Sequence, residues 1–226
     1  PAIADVAARL LEMAKNAKPG SDNQLLFTRF ATYFAETKEA ADVLEGLFNG
    51  SVVFAGLELD QDMRWDLING LVMAGRLGLD DIAAELAKDN TANGAKQAIM
   101  ARTSIPTEAG KKDGWNDILT NESLSNTDIN FGSLGLVRAH DTSLLEPLVD
   151  WYFEAALNVW NTRTFKIAEY ILRGAYPIYL ANAELAERTR AFAAKPEVVA
   201  IPALHRIILE NLDAVDRAIK AQKADN

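Results

Sequence analysis

The chain has no cysteine. Disulfides and thiolate-held metals are therefore excluded, and the composition fits a reducing compartment, with the cytoplasm as the expected location. Histidine is scarce: His140 and His205 are the whole supply. Basic residues are in deficit, 23 Lys and Arg against 32 Asp and Glu, for a net charge of −9. So acidic a chain is poorly suited to nucleic acid or an anionic membrane surface, since both recruit clustered Lys and Arg. No segment approaches the roughly 20 consecutive apolar residues of a membrane-spanning helix. An initiator methionine and a secretory signal pattern are also missing. The sequence opens at Pro1 and is helical in pattern from Ile3. It reads as a piece cut from a longer protein.

What is present is helical periodicity. Of the 226 residues, 49% are hydrophobic, enough for a substantial core. Val6, Leu10 and Met13 lie three or four apart, with Leu11 widening the stripe; Leu26, Phe30, Tyr33 and Phe34 form a second face. Ala41, Leu44, Leu47 and Phe48 form a third, closed by Asn49-Gly50. Val52-Val53-Phe54 is strand-like but short and without a partner strand, so it is a connector. Asp60 and Asp62 stand where a helix begins, and Leu67, Ile68, Leu71, Val72 and Gly75 share its face. Gly78 suits a left-handed stop, Asp80 a cap for the next helix, and Asn90 or Thr91 a cap for the one after. Alanines 92, 95, 98 and 101 give that helix a thin profile. Pro106 suits a helical first turn, ahead of inward-facing Trp115, Ile118 and Leu119.

Ser143-Leu144-Leu145-Glu146 fits a capping box, with Pro147 in the first turn. Behind it Leu145, Leu148, Val149, Tyr152, Ala156, Val159 and Trp160 form the cleanest amphipathic stripe. Ile167, Tyr170, Ile171 and Ala175 continue the pattern, and a last helix after Pro202 uses Leu204, Ile208, Leu212, Val215 and Ile219. About ten to twelve helices joined by short turns fill the chain, which is expected to be a single all-α domain over 1–226. Consecutive helices with short turns pack antiparallel, and a row of such pairs is an α-solenoid or superhelix. The Trp, Gly, Tyr and Pro spacing of tetratricopeptide repeats is missing, so an irregular HEAT-like stack is the better fit.

Chemistry is sparse. "HRIILE" places Glu210 five residues after His205 and supplies no second His, so it is not a helical zinc motif. His140 precedes Asp141 in a turn. There is no G-x-S-x-G elbow and no phosphate loop; "AGRLGLDD" lacks a preceding strand. "DQD" lacks the Gly and the downstream Glu of a calcium loop. Asp60, Asp62, Asp80 and Asp81 sit at helix starts, where the helix dipole accounts for them. The tryptophans at 65, 115, 151 and 160 fall at helical spacing and are expected to pack. Trp65 in particular is expected to be mostly buried. No catalytic or metal-binding residue is assigned.

"PGSDNQLLFTRFA", "LFNGSVVFAGLELDQDMRWDLINGLVMAGR", "DDIAAELAKDNTANGAKQAIMARTSIPTEAGKKDGW" and "NDILTNESLSN" together carry a resemblance. The chain resembles the ERAP1-like C-terminal helical domain of aminopeptidase N, actinobacterial type, in the M1 zinc metallopeptidase family. The likeness is strongest over residues 20–126 and looser through the tail. It implies a zinc held elsewhere, by a His-Glu-x-x-His helix in a catalytic domain upstream; none of that family's catalytic motifs occurs in this sequence. It also implies a scaffold role: a helical stack that encloses a peptide chamber, with the catalytic domain of the same chain and peptide substrates as partners. Under that implication Arg64, Arg102 and Arg138 are candidates for meeting a peptide carboxylate, because a guanidinium pairs with one bidentately. The alternative is an independent helical-repeat scaffold binding protein partners on a concave face.

Overall fold

The computed structural model describes residues 2–224, with side chains from residue 5 onward. About three-quarters of the chain is helical, and the described residues contain no strand. Their contacts gather into two compact units, Pro1–Pro106 and Thr107–Asn226, within the span read as one domain.

The first unit holds α1 (Ala2–Asn16), α2 (Asp22–Ala31), α3 (Lys38–Asn49), α4 (Gln61–Met73), α5 (Leu79–Lys88) and α6 (Ala92–Thr103). Neighbours in sequence pack on one another, α1 on α2, α3 on α4 and α5 on α6, and α4 also meets α6. The second unit holds α7 (Glu108–Thr120), α8 (Asn126–Leu136), α9 (Glu146–Thr162), α10 (Phe165–Gly174), α11 (Ala183–Ala193), α12 (Pro196–Val199) and α13 (Pro202–Ala224). There α7 packs on α8, α8 on α10, and α11 on α13. The consecutive pairing of the first unit is consistent with stacked helical hairpins, whereas in the second unit α8–α10 and α11–α13 each skip a helix.

Short polar residues set the helix starts. Ser21, Thr37, Asp60, Thr91, Thr107, Ser125, Thr164 and Asn182 each accept a hydrogen bond from an N–H of the first turn, satisfying a donor that has no partner inside the helix. Gly50 ends α3 at φ 84°, as the Asn49-Gly50 pair predicts.

Several boundaries fall elsewhere than expected. The left-handed residue after α4 is Gly75 at φ 71°, not Gly78, and Gly75 is exposed rather than on the inward face. Arg76 N–H bonds back to the Leu71 carbonyl at 2.8 Å, so the chain has already turned out of the helix by then. Gly78 instead precedes α5, and Asp81, rather than Asp80, reaches back to the Gly78 N–H at 2.9 Å. Pro106 lies just ahead of α7, whose cap is Thr107. Ser143 is not a helix cap: Asp141 caps a 3-10 turn, Thr142–Leu145, and α9 follows with Pro147 in its first turn.

Two faces are inverted. In α1 the small residues Ala7 and Ala14 pack inward with Leu11, while Val6 and Met13 are exposed. In α2 the buried positions are Gln24, Thr28 and Ala31, while Leu26, Phe30 and Tyr33 are exposed. Gln24 is tolerated inside because its carboxamide is satisfied. It accepts from Gly20 N–H at 2.9 Å and donates to the carbonyls of Ala14 and Ala55 at 3.2 and 3.1 Å. In α6 Ala98 and Ala101 are buried but Ala92 and Ala95 are not; Gly94 makes the close approach, since a side chain there would collide with the Asp89 carbonyl.

The long apolar stripes hold. In α4, Met63, Trp65, Leu67, Ile68, Leu71 and Val72 are fully buried. In α9, Leu148, Tyr152, Ala156 and Val159 are buried, and the Tyr152 hydroxyl donates to the Leu172 carbonyl at 2.7 Å.

Candidate functional site

The densest polar cluster joins α4, α5 and α6. Gln61, Arg64 and Trp65 stand at i, i+3 and i+4 on the first turns of α4, so Gln61 and Arg64 can reach one acceptor on α5. That acceptor is Glu85, whose side chain is 1% exposed. Arg64 donates to it in a fork, Nε to Oε1 at 2.7 Å and a terminal nitrogen to Oε2 at 2.7 Å. Gln61 adds a bond at 3.0 Å and Lys88 one at 3.1 Å. The bonds from Arg64 outweigh burial and hold the Glu85 carboxyl down at about 2, well below the usual carboxylate range. The Arg64 guanidinium also lies over the Phe48 ring, 4.7 Å from its centroid.

Trp65 is fully buried, as expected. Its indole N–H donates to Asp89 Oδ2 at 2.8 Å, and Thr91 Oγ1 donates to Asp89 Oδ1 at 2.7 Å. One carboxylate thus ties the core of α4 to the cap of α6. Chemically, this cluster is a pair of buried carboxylates, Glu85 paired with Arg64 and Lys88 and Asp89 held by two uncharged donors. It fixes three helices and offers no reactive group.

Of the other arginines singled out from the sequence, Arg102 is exposed in the last turn of α6. Arg138 is half-buried in the link after α8 and belongs to the second unit. Its carbonyl accepts from Lys111 Nζ at 2.7 Å. Burial, and then the nearby Arg138 charge, push the Lys111 ammonium down to about 7. His205 is half-buried on α13 and His140 is half-buried between α8 and α9. Among the described residues no three His, Asp or Glu side chains stand where they could hold a metal ion, so these residues do not fit a zinc site. Asp60 accepts from Met63 N–H at 2.8 Å as a cap, and Asp62 accepts from Asn93 at 3.1 Å.

One feature escapes a reading of single helices. A groove in the second unit is lined by Lys112, Trp115 and Asn116 of α7 and by Trp151, Glu154 and Asn158 of α9. The spacing, i, i+3, i+4 on α7 and i, i+3, i+7 on α9, was its only signal, and such spacing equally describes a packed face.

These features define a class: an all-α chain of packed helices, in which buried polar groups tie helix to helix. The chain belongs to the family described as the ERAP1-like C-terminal domain, which matches it over residues 2–217. It is 35% identical over 209 residues to the aminopeptidase N of Streptomyces lividans, a match that covers 92% of this chain and 24% of that protein. The chain therefore spans about a quarter of the length of that curated relative. The resemblance read from the sequence is borne out, and with it the C-terminal domain of an aminopeptidase N.

Proposed function

We propose that this chain is the non-catalytic C-terminal domain of an M1 zinc aminopeptidase, and that it walls the chamber in which peptides are held while their N-terminal residue is removed. The observation that carries the reading is the family match over nearly the whole chain, together with a relative, named aminopeptidase N, that is about four times longer. In this reading the zinc and the bond-breaking groups belong to a catalytic domain of the same polypeptide, acting in the cytoplasm. The helical domain contributes contacts to the part of the peptide remote from the reacting bond. Such contacts orient the scissile end, so that remote binding energy lowers the barrier rather than merely tightening the complex. For Arg64 to take a peptide carboxylate it would have to exchange Glu85 for the peptide. Arg102 and Arg138 are the other guanidinium candidates.

The purified 226-residue chain provides the first test. It should hydrolyse no aminoacyl anilide and retain no stoichiometric zinc by elemental analysis after dialysis. One zinc per chain together with chelator-sensitive hydrolysis would overturn the assignment.

A further inference from the structure

The sequence contains the dipeptide Asn-Gly three times, at Asn49-Gly50, Asn69-Gly70 and Asn93-Gly94. This pair has a chemistry of its own. The main-chain nitrogen of the glycine can attack the carboxamide carbon of the asparagine, and the missing Cβ removes what would hinder the approach. Attack needs a glycine N–H that is not held in a hydrogen bond, a carboxamide lying over that nitrogen, and a main chain free to close a five-membered ring.

The fold treats the three sites differently. Asn69-Gly70 is buried in the middle of α4, where each N–H is committed to a carbonyl of the preceding turn. The Asn69 carboxamide donates to the Trp65 carbonyl at 2.9 Å and to Gln97 at 3.1 Å, and Gly70 lies so close to Thr32 that even a Cβ would collide. Asn93-Gly94 lies in the first turn of α6. There Gly94 N–H donates to Thr91 Oγ1 at 3.1 Å, the Asn93 carboxamide donates to Asp62 at 3.1 Å, and the glycine packs on the Asp89 carbonyl. Asn49-Gly50 ends α3, and both residues are exposed. The Gly46 carbonyl, which would hold the Gly50 N–H in a continued helix, accepts instead from Val52 N–H at 2.9 Å. Among the described residues the Gly50 N–H makes no bond of hydrogen-bonding geometry, and open space surrounds the residue. Asn49 Oδ1 accepts from Ser51 N–H at 2.9 Å. That bond folds the carboxamide back across the Gly50 nitrogen and aims a donor at the oxygen that gains charge as the carbon is attacked.

We propose that Asn49 is a self-modifying site, converting to aspartate and isoaspartate in the folded chain while Asn69 and Asn93 are spared. The Gly50 nitrogen loses its proton to solvent and bonds to Asn49 Cγ; the bond from Cγ to the side-chain nitrogen breaks, and ammonia leaves with a proton taken back from solvent. Water then opens the cyclic imide. Opening at the side-chain carbonyl gives aspartate on an unaltered main chain. Opening at the main-chain carbonyl gives isoaspartate, whose backbone runs through the side-chain carbon. Either product adds a negative charge to a chain already at −9, and places it at the C-terminal end of α3, where the helix dipole disfavours an anion.

The test incubates the purified 226-residue chain in mildly alkaline buffer, one sample folded and one unfolded in urea, and digests aliquots with trypsin over time. Each dipeptide falls in its own tryptic fragment, residues 39–64, 65–76 and 89–96, and a zero-time digest sets the background. In the folded chain the fragment 39–64 should gain the mass of an amide-to-acid change about tenfold faster than either of the others, because a bonded glycine N–H must first be freed. Part of the new acid should be isoaspartate, labelled by methyl transfer from S-adenosylmethionine with a protein-isoaspartate methyltransferase. In urea all three fragments should convert at comparable rates, since the same dipeptide then has the same freedom. Asn49→Gln, whose longer side chain would have to close a six-membered ring, should lose the acidic species that anion exchange resolves from the aged protein. Equal conversion of Asn49 and Asn93 in the folded chain would overturn the proposal. So would conversion of Asn49 in urea but not in the folded chain, or an acidic species that persists in Asn49→Gln.

Discussion

Glu85→Gln removes a charge while keeping the side chain's shape, at a carboxylate that is almost wholly buried and forked by Arg64. The carboxyl titrates at about 2 when folded against an ordinary 4.5, and that difference is worth about 3 kcal/mol of stability at neutral pH. The sign follows from which state holds the proton. A carboxyl that ionises more readily when folded stabilises the fold fully above about pH 4.5, and the stabilisation is lost as pH falls toward about 2. At about pH 3 less than half of it should remain. Urea unfolding followed by circular dichroism, run on both proteins at about pH 7, 5, 4 and 3, reads this directly. The gap between wild type and Glu85→Gln should shrink by about 2 kcal/mol across that range. A gap that is the same at pH 3 and pH 7 would refute the reasoning. It would mean that Arg64 serves Glu85 no better than water does.

Trp65→Phe keeps most of the buried ring but orphans Asp89 Oδ2, and should lower stability by about 1–3 kcal/mol. Trp65→Ala should cost about 3–5 kcal/mol through the cavity it leaves. An unchanged melting temperature in either variant would place the ring outside the core. Lys111, whose ammonium is pushed down to about 7 from an ordinary 10.5, gives a slope of the same sign as Glu85 but in an alkaline window, where a cost of burial is relieved rather than a stabilisation gained. Between those values the unfolded chain holds more protons, so stability should rise with pH by up to about 1.4 kcal/mol per unit. The rise should vanish in Lys111→Met, and a flat profile in the wild type between about pH 8 and 10 would contradict it.

The elements that could be read from the sequence were those whose burial follows bulk. In α4 and α9 the large apolar residues recur at helical spacing, and the core takes them. In α2 the same logic points to Leu26, Phe30 and Tyr33, yet the helix turns Gln24, Thr28 and Ala31 inward. What reverses it is the Gln24 carboxamide finding carbonyls at Ala14 and Ala55, ten and thirty-one residues away. No local pattern carries that information. Gly78 was the expected stop and Gly75 a residue of the helix face, and only the path of the chain out of α4 shows that Gly75 is the left-handed residue. Arg64 could be named as a candidate for a peptide carboxylate, but not paired with Glu85, because that partner lies twenty-one residues on, in the next helix. The Trp115–Trp151 groove is likewise a property of two helices facing each other, and neither helix reveals it alone.

The central claim is that this domain serves the remote part of a peptide and takes no part in breaking the bond. Its most direct test is kcat/KM for a series of peptides of increasing length, set against a one-residue aminoacyl anilide, in the aminopeptidase that carries the domain and in the same enzyme lacking residues 1–226 but retaining its melting transition. The account predicts a loss that grows with peptide length and is smallest for the anilide, because chamber walls meet the distal residues and barely touch a one-residue reporter. An equal loss across all substrates would contradict it, and would reduce the domain to a support for folding.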